Sequence, residues 1–294
     1  MATYTTDDLI TSVLNRAQLP SSSNNNNVNS DANLLKLGTE EIYTKLLPLI
    51  LSTREEWYVA PYNHTITANQ SAYAMPPRAS GRVLRDVLYV LNGAISRLDP
   101  IDPETLTTEL TGEPSNYYIE DDNVVLYPTP ATTTGTLRLR YFRRPNRLAD
   151  TADCVQITAI NTSTGVVTVS AVPTTFGTTT LIDMIKNTSP FTTLGMDYSI
   201  TATSSTTVTF ASLPTGLAVG DWMALAEYTP IPQIPQEFFP VLAQMMVVKV
   251  LEAYGDREGA AAAYKDLDVI RQNALVMISP RTVSKQKKII GRNW

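Results

Sequence analysis

Between residues 150 and 229 the chain changes character. This block carries six acidic side chains (Asp150, Asp153, Asp183, Asp197, Asp221 and Glu227) and a single basic one, Lys186. The remaining residues hold 22 basic and 22 acidic groups, so the whole net charge of −5 belongs to the block. It is rich in Thr, Ser and Val and poor in helix formers. Those β-branched residues favour strands, where a branched side chain packs on a pleated surface. An all-β sandwich or barrel inserted into a differently composed host is the expectation. The predicted organisation is a core of helices and β-hairpins, 1–149 and 230–294, with the β domain 150–229 between its halves and folding by itself at the periphery.

The two ends read as helical. Thr5-Thr6-Asp7-Asp8 has the spacing of a capping box, and Leu9, Ile10, Val13, Leu14 and Ala17 follow on one helical face. Ser21–Ser30 is a polar run with consecutive asparagines, expected to be a mobile loop. A second helix is predicted from about Asn33 to Trp57, with Leu35, Ile42, Leu46 and Leu49 on one side and a kink or split at Pro48. From Tyr58 the period becomes two. Arg82–Val90 reads as a strand turning at Asn92-Gly93, Asn116–Tyr127 as a hairpin around Asp121-Asp122-Asn123, and Thr136–Arg144 as a strand alternating Leu137, Leu139 and Tyr141 with Arg138 and Arg140. In the block, turns are predicted at Thr164-Gly165 and near Ser204-Ser205.

After Pro235-Gln236-Glu237 comes a segment that is apolar nearly all round, ending at Gly255; such a helix is buried on every side. Asp256 then caps a helix whose Ala260, Ala263, Leu267, Ile270, Ala274 and Met277 recur at steps of three and four, a coiled-coil-like seam. Its small residues favour close approach to the preceding helix or to a neighbouring subunit; for the second case Phe238, Leu242, Met245, Ala260, Ala263 and Leu267 are the candidate subunit-packing residues. Beyond Ser279-Pro280 the chain has basic groups, no acid and a terminal tryptophan.

Several function classes lack support. No apolar run reaches the roughly 18 residues of a membrane helix, and the first eight residues have neither the basic patch nor the apolar stretch of a secretion signal. His64 is the only histidine and Cys154 the only cysteine, so neither a His-based metal set nor a disulfide is expected. Neither a nucleophile elbow nor a phosphate loop is present. Glu120-Asp121-Asp122 between two strands reads as a turn. The chain is expected not to be an enzyme and to need no cofactor. Arg138, Arg140, Arg143, Arg144 and Arg147 form a basic cluster that can face DNA or an acidic partner, or be a solvated strand face.

The order of elements resembles the head–tail connector (portal adaptor, neck) proteins of short-tailed and related bacteriophages. The likeness rests on Asn33–Gly38 through Arg54–Trp57, on Tyr73–Gly81 with Pro76, Pro77 and Arg78, on Val124–Pro130, on Leu137–Pro145, and on Ile231–Glu237 leading to the helices around Gly255-Asp256. It covers 1–149 and 230–294. The resemblance implies a virion protein of the neck or tail, made in the bacterial host cytoplasm. It implies a self-assembled ring, a dodecamer, docked on the portal protein and joined below to a tail or nozzle protein, with genomic DNA sliding through unbound. It also implies a C-terminal segment that grips the portal, which here is Arg281, Lys285, Lys287, Lys288, Ile289, Ile290, Arg292 and Trp294. The alternative is a receptor- or carbohydrate-binding tail protein, which aromatics on exposed loops of the β block would favour.

Overall fold

A computed structural model describes residues 4–19 and 29–279. Most of the polar run Ser21–Ser30 and the whole segment 280–294, with its expected portal contacts, lie outside the described residues. The chain forms two compact units, one from 1–54 with 145–294 and the other from 55–144.

Helix α1 (Thr6–Arg16) starts on the expected capping box: the Asp8 backbone N–H donates to Thr5 Oγ1 at 3.4 Å and the Thr5 N–H donates back to the Asp8 carboxylate at 2.9 Å. Helix α2 (Asp31–Glu41) runs into a π-helical turn, Ile42–Leu46, and then into α3 (Leu47–Thr53). The chain absorbs Pro48 by widening the turn before it, where the Leu47 N–H reaches five residues back to the Ile42 carbonyl. One extra residue in a turn rotates everything after it by about a quarter-turn. Ile42 and Leu46 are buried as predicted, but beyond the wide turn Leu47 and Ile50 fill the core and Leu49 is only half-buried. The helix stops at Thr53, short of the predicted Trp57, which lies in a 3-10 turn at Glu55–Tyr58.

The second unit is two facing sheets. Its strands are β1 (Val59–Thr65), β2 (Ala72–Ala74), β3 (Ala79–Leu91), β4 (Ala94–Arg97), β5 (Asp99–Pro100), β6 (Thr111–Gly112), β7 (Asn116–Glu120), β8 (Asn123–Tyr127), β9 (Thr129–Pro130) and β10 (Thr136–Arg143). One sheet has the order β1-β10-β3-β4, the other β2-β8-β7-β5, and β6 pairs with β9. Strict alternation on β10 buries Leu137, Leu139 and Tyr141, and the two leucines pack against Val87, Tyr89, Val124 and Leu126. The β3–β4 turn is Asn92-Gly93, with φ of 50° and 82°, the double left-handed geometry that matches strand twist and favours this pair.

Returning to the first unit, β11 (Arg147–Leu148) leads into the barrel. Its strands are β12 (Val155–Asn161), β13 (Val166–Val169), β14 (Leu181–Ile185), β15 (Thr193–Thr203), β16 (Thr207–Phe210) and β17 (Trp222–Leu225). They close in the order β12-β13-β16-β15-β14-β17, and β18 (Tyr228–Thr229) leaves beside β11 in parallel. Closure removes the exposed edges that a small Thr-rich sheet would otherwise present. Ile157, Val167, Ile182, Met184, Val208 and Met223 fill the interior. The fold is thus α+β with an inserted β domain, and that domain is a barrel.

Helix α4 (Phe239–Tyr254) is surrounded by α1, α2 and α5 (Arg257–Ile278). From Val241 to Val250 its apolar residues are buried on all sides, and Gly255 ends it in the left-handed region at φ 78°. Asp256 caps α5 by accepting the Gly259 N–H at 2.9 Å. The buried seam of α5 is Ala260, Ala263, Leu267, Ala274 and Ile278; Met277, predicted to belong to it, is 66% exposed. Four residues after Ala274 the helix points Ile278, not Met277, at α4. Gly38 on α2 permits a close helix–helix approach, since a Cβ there would lie 2.9 Å from Leu148 Cδ1 and 3.1 Å from Met246 Sδ.

Candidate functional site

The five arginines of the basic cluster do not share one surface. Strand alternation places Arg138 and Arg140 on the outer face of the β1-β10-β3-β4 sheet. Register sets Arg138 between Asn63 and Leu88, with Arg97 next beyond Leu88, and sets Arg140 beside Asp86. Asp86 takes an ion pair from Arg140 at 3.2 Å and another from Arg97 at 3.4 Å. Arg138 donates from Nε to the Asn63 side-chain oxygen at 3.3 Å. The face therefore holds three guanidinium groups and one carboxylate, interleaved with Leu88, Val90 and Ile95. Arg97 was not among the candidates, because only the return strand of the hairpin brings it there.

Arg143 points the other way and is buried near Tyr58 and Tyr141. Burial pushes both phenols up, Tyr58 well above the usual range, and the Arg143 guanidinium partly opposes that shift. Arg144 follows the strand and donates its backbone N–H to the Arg78 carbonyl at 2.9 Å. Arg147 belongs to the other unit, on β11, where its guanidinium lies 3.9 Å from the Glu227 carboxylate and bonds Tyr228.

The six candidate subunit-packing residues, Phe238, Leu242, Met245, Ala260, Ala263 and Leu267, are all buried within one copy of the chain. Their positions are filled by α1, α2, α4 and α5 themselves. The apolar surface left open on this helical group lies elsewhere, on the outer side of α5.

The acids of the barrel block are largely used internally. Asp183 is fully buried and accepts from the Asn146 side-chain amide at 2.6 Å, the Asp197 N–H at 3.1 Å and the Glu227 N–H at 3.0 Å. Asp221 accepts from the Asn187 and Ala218 N–H groups, both at 2.9 Å. Charge-assisted bonds of this kind hold loops in place. Cys154 is buried, and burial, reinforced by Asp153, Asp150 and Asp7, pushes its thiol up to about 12. A groove of about 740 Å³ beside it is lined by Lys36, Arg147, Glu40, Asp150 and Asp153 around Leu148 and Leu225. Its charges are of both signs. Most aromatics of the block point inward: Phe176, Phe191 and Phe210 are buried, Tyr198 is half-buried and the Trp222 indole nitrogen is enclosed, while Tyr228 alone among them is exposed. That arrangement gives no support to a sugar-stacking surface.

His64 holds the Ala74 carbonyl through Nε2 at 2.8 Å and packs edge-on against Tyr62 at 4.9 Å. Asp121, at φ 51°, is the turn residue of the β7–β8 hairpin, and the neighbouring Asp122 pairs with Arg82. Among the described residues no group of three or more His, Cys, Asp or Glu side chains is arranged to hold a metal ion, and no helix is long and apolar enough to cross a membrane.

The description "SU10 adaptor protein" names a family that matches residues 4–176, more than half of the chain. The chain belongs to the SU10 adaptor protein family. The matched span takes in α1 to α3, the whole two-sheet unit and the first strands of the barrel; α4 and α5 follow it. An SU10 adaptor is a phage structural protein, and its place is in the virion. No curated protein matches this SU10 adaptor.

Proposed function

We propose that this SU10 adaptor is a structural, non-catalytic subunit of the ring that joins the phage head to its tail. Copies assemble side by side, dock on the portal protein, surround the path of the genomic DNA and carry a tail or nozzle protein below. The observation that carries the reading is the family match over residues 4–176. The structure adds a physical reason. Helices from the two ends of the chain, far apart in sequence, pack together around α4, and in the sequence residues 280–294 follow directly on α5.

In this reading segment 280–294 grips the portal. Arg281, Lys285, Lys287, Lys288 and Arg292 meet acidic side chains, while Ile289, Ile290 and Trp294 supply apolar anchors. A segment that orders on docking loses conformational entropy, so these contacts act together. DNA must slide through the ring, so phosphates are not held tightly. The pairing of Arg140 and Arg97 with Asp86 is in keeping with such a muted positive face. The test is sedimentation of the purified chain with the portal of the same phage. A complex containing many copies is expected, and a chain truncated after Ser279 should lose it while keeping its melting temperature. Unchanged portal binding by the truncated chain would move the grip elsewhere.

A further inference from the structure

Helix α5 has two apolar faces. One packs on α4. On the opposite side stand Ala262, Val269 and Val276, seven residues apart and thus stacked along the helix every second turn. Val269 and Val276 are 63% and 62% exposed. Of the twelve large hydrophobic residues exposed among the described residues, Val269 and Val276 align on this stripe and Met277 flanks it, while Tyr264 lies on another side of the same helix. Scattered exposed apolar residues are ordinary, whereas such a concentration marks a contact surface.

A groove of about 730 Å³ runs beside this stripe. Val247 and Leu251 of α4 form its floor, and Ala262 and Val269 stand where the stripe meets its rim. The α5 side of the groove carries Asp256 and Asp266; the far side, at the end of α1, carries Arg16. The stripe has flanks of opposite sign, Lys265 on one side and Asp266 on the other. Neither is engaged in an ion pair among the described residues. A copy of α5 laid along the groove in one of its two directions sets Lys265 against the acidic rim and Asp266 against Arg16. Small residues at the rim let two helices approach closely.

We propose that the occupant of this groove is the outer face of α5 from a second copy of the chain. The inference rests on the ring reading and names the surface that builds the ring. The incoming stripe seats on Val247, Leu251 and Arg16, which it does not itself present, and meets its own twin only at the rim residues Ala262 and Val269; such a contact is heterologous and repeats from copy to copy, the condition for a closed ring. Complementary flanks fix the direction of the incoming helix.

The experiment measures mass by light scattering, with portal present, for the wild type, the double variant Val269→Glu with Val276→Glu, and Lys265→Glu. Both valines face solvent in the single copy, so circular dichroism and melting should stay as in the wild type. The double variant should fall to single-copy mass, and Lys265→Glu should dissociate at a protein concentration where the wild type remains a ring. If both variants keep the wild-type ring mass, the surface assignment is wrong while the ring reading stands. A double variant that keeps its ring but loses portal assigns the face to portal and also overturns the proposal. A wild type that stays a single copy even with portal defeats the ring reading itself.

Discussion

The side-chain amide of Asn146 donates to the carboxylate of Asp183 at 2.6 Å, and both residues are buried. Asn146 lies on the segment that enters the barrel and Asp183 on β14 inside it. The same asparagine donates its backbone N–H to the Gln233 side-chain oxygen at 2.8 Å, and the Gln233 amide nitrogen in turn donates to the Phe191 carbonyl at 2.9 Å and to Thr193 Oγ1 at 3.0 Å. The strands entering and leaving the barrel are thereby pinned to it by a buried polar network. Removing one member leaves the others unsatisfied out of reach of water, which costs far more than the bond itself contributes.

Asp183→Ala should therefore destabilise the chain by about 3–5 kcal/mol, since three donors lose their acceptor at once. Urea denaturation followed by tryptophan fluorescence reads this, because Trp222 pairs with Ile185 on the same strand as Asp183. A loss below about 1 kcal/mol would mean that water reaches the site and takes over the bonds.

The barrel itself closes on its own core, so a fragment spanning 150–229 should give a β-type circular dichroism spectrum and a cooperative melt. Its removal from the full chain should not be neutral, because Asn146 and Gln233 would lose their partners and Phe239 its neighbour Phe191, now 5.9 Å away. A lower melting temperature of the deleted chain is the expected result. An unchanged one would show that the network adds nothing to the helical body.

Gly38→Val should cost about 1–3 kcal/mol by overpacking the contact of α2 with Leu148 and Met246. Gly38→Ala should cost less, because both neighbours are flexible side-chain ends. Thermal melts of the two variants, ranked against the wild type, check the order.

Cys154 should resist iodoacetamide at pH 8 in the native chain and react readily in urea, since burial holds its thiol near 12. The thiol's folded value is raised above its unfolded one. Its contribution is thus fully present below about pH 8.5 and is lost as the pH rises from there toward 12, at no more than about 1.4 kcal/mol per pH unit. Cys154→Ala should flatten that alkaline slope. Fast native labelling at pH 8 would contradict the buried placement.

Local chemistry made much of the fold readable in the sequence. The pairs Asn92-Gly93 and Thr164-Gly165, the Thr5–Asp8 capping box and the Gly255 cap each encode a backbone geometry within a few residues. The shift from Leu49 to Ile50 was not readable, because Pro48 in the sequence signals a break that a kink, a split or a wide turn can each meet, and the chain takes the wide turn. Site residues were harder still. Apolar periodicity says that Ala260, Ala263 and Leu267 are buried; it does not say whether the burying surface is the same copy or another. Nearness in sequence grouped Arg138 to Arg147, whereas strand alternation and the end of β10 send them to different places. The exposed valines of α5 carried a signal, a seven-residue spacing opposite the buried seam, but it is visible only once that seam is fixed.

The central claim is that many copies of this chain form a ring at the phage neck. Cryo-electron microscopy of the intact virion, focused on the neck, tests it most directly. The account predicts a closed ring of this chain between portal and tail, with α5 at the contact between neighbouring copies and residues 280–294 reaching the portal. A neck in which the chain is absent, or is present as isolated copies that touch neither each other nor the portal, would contradict it.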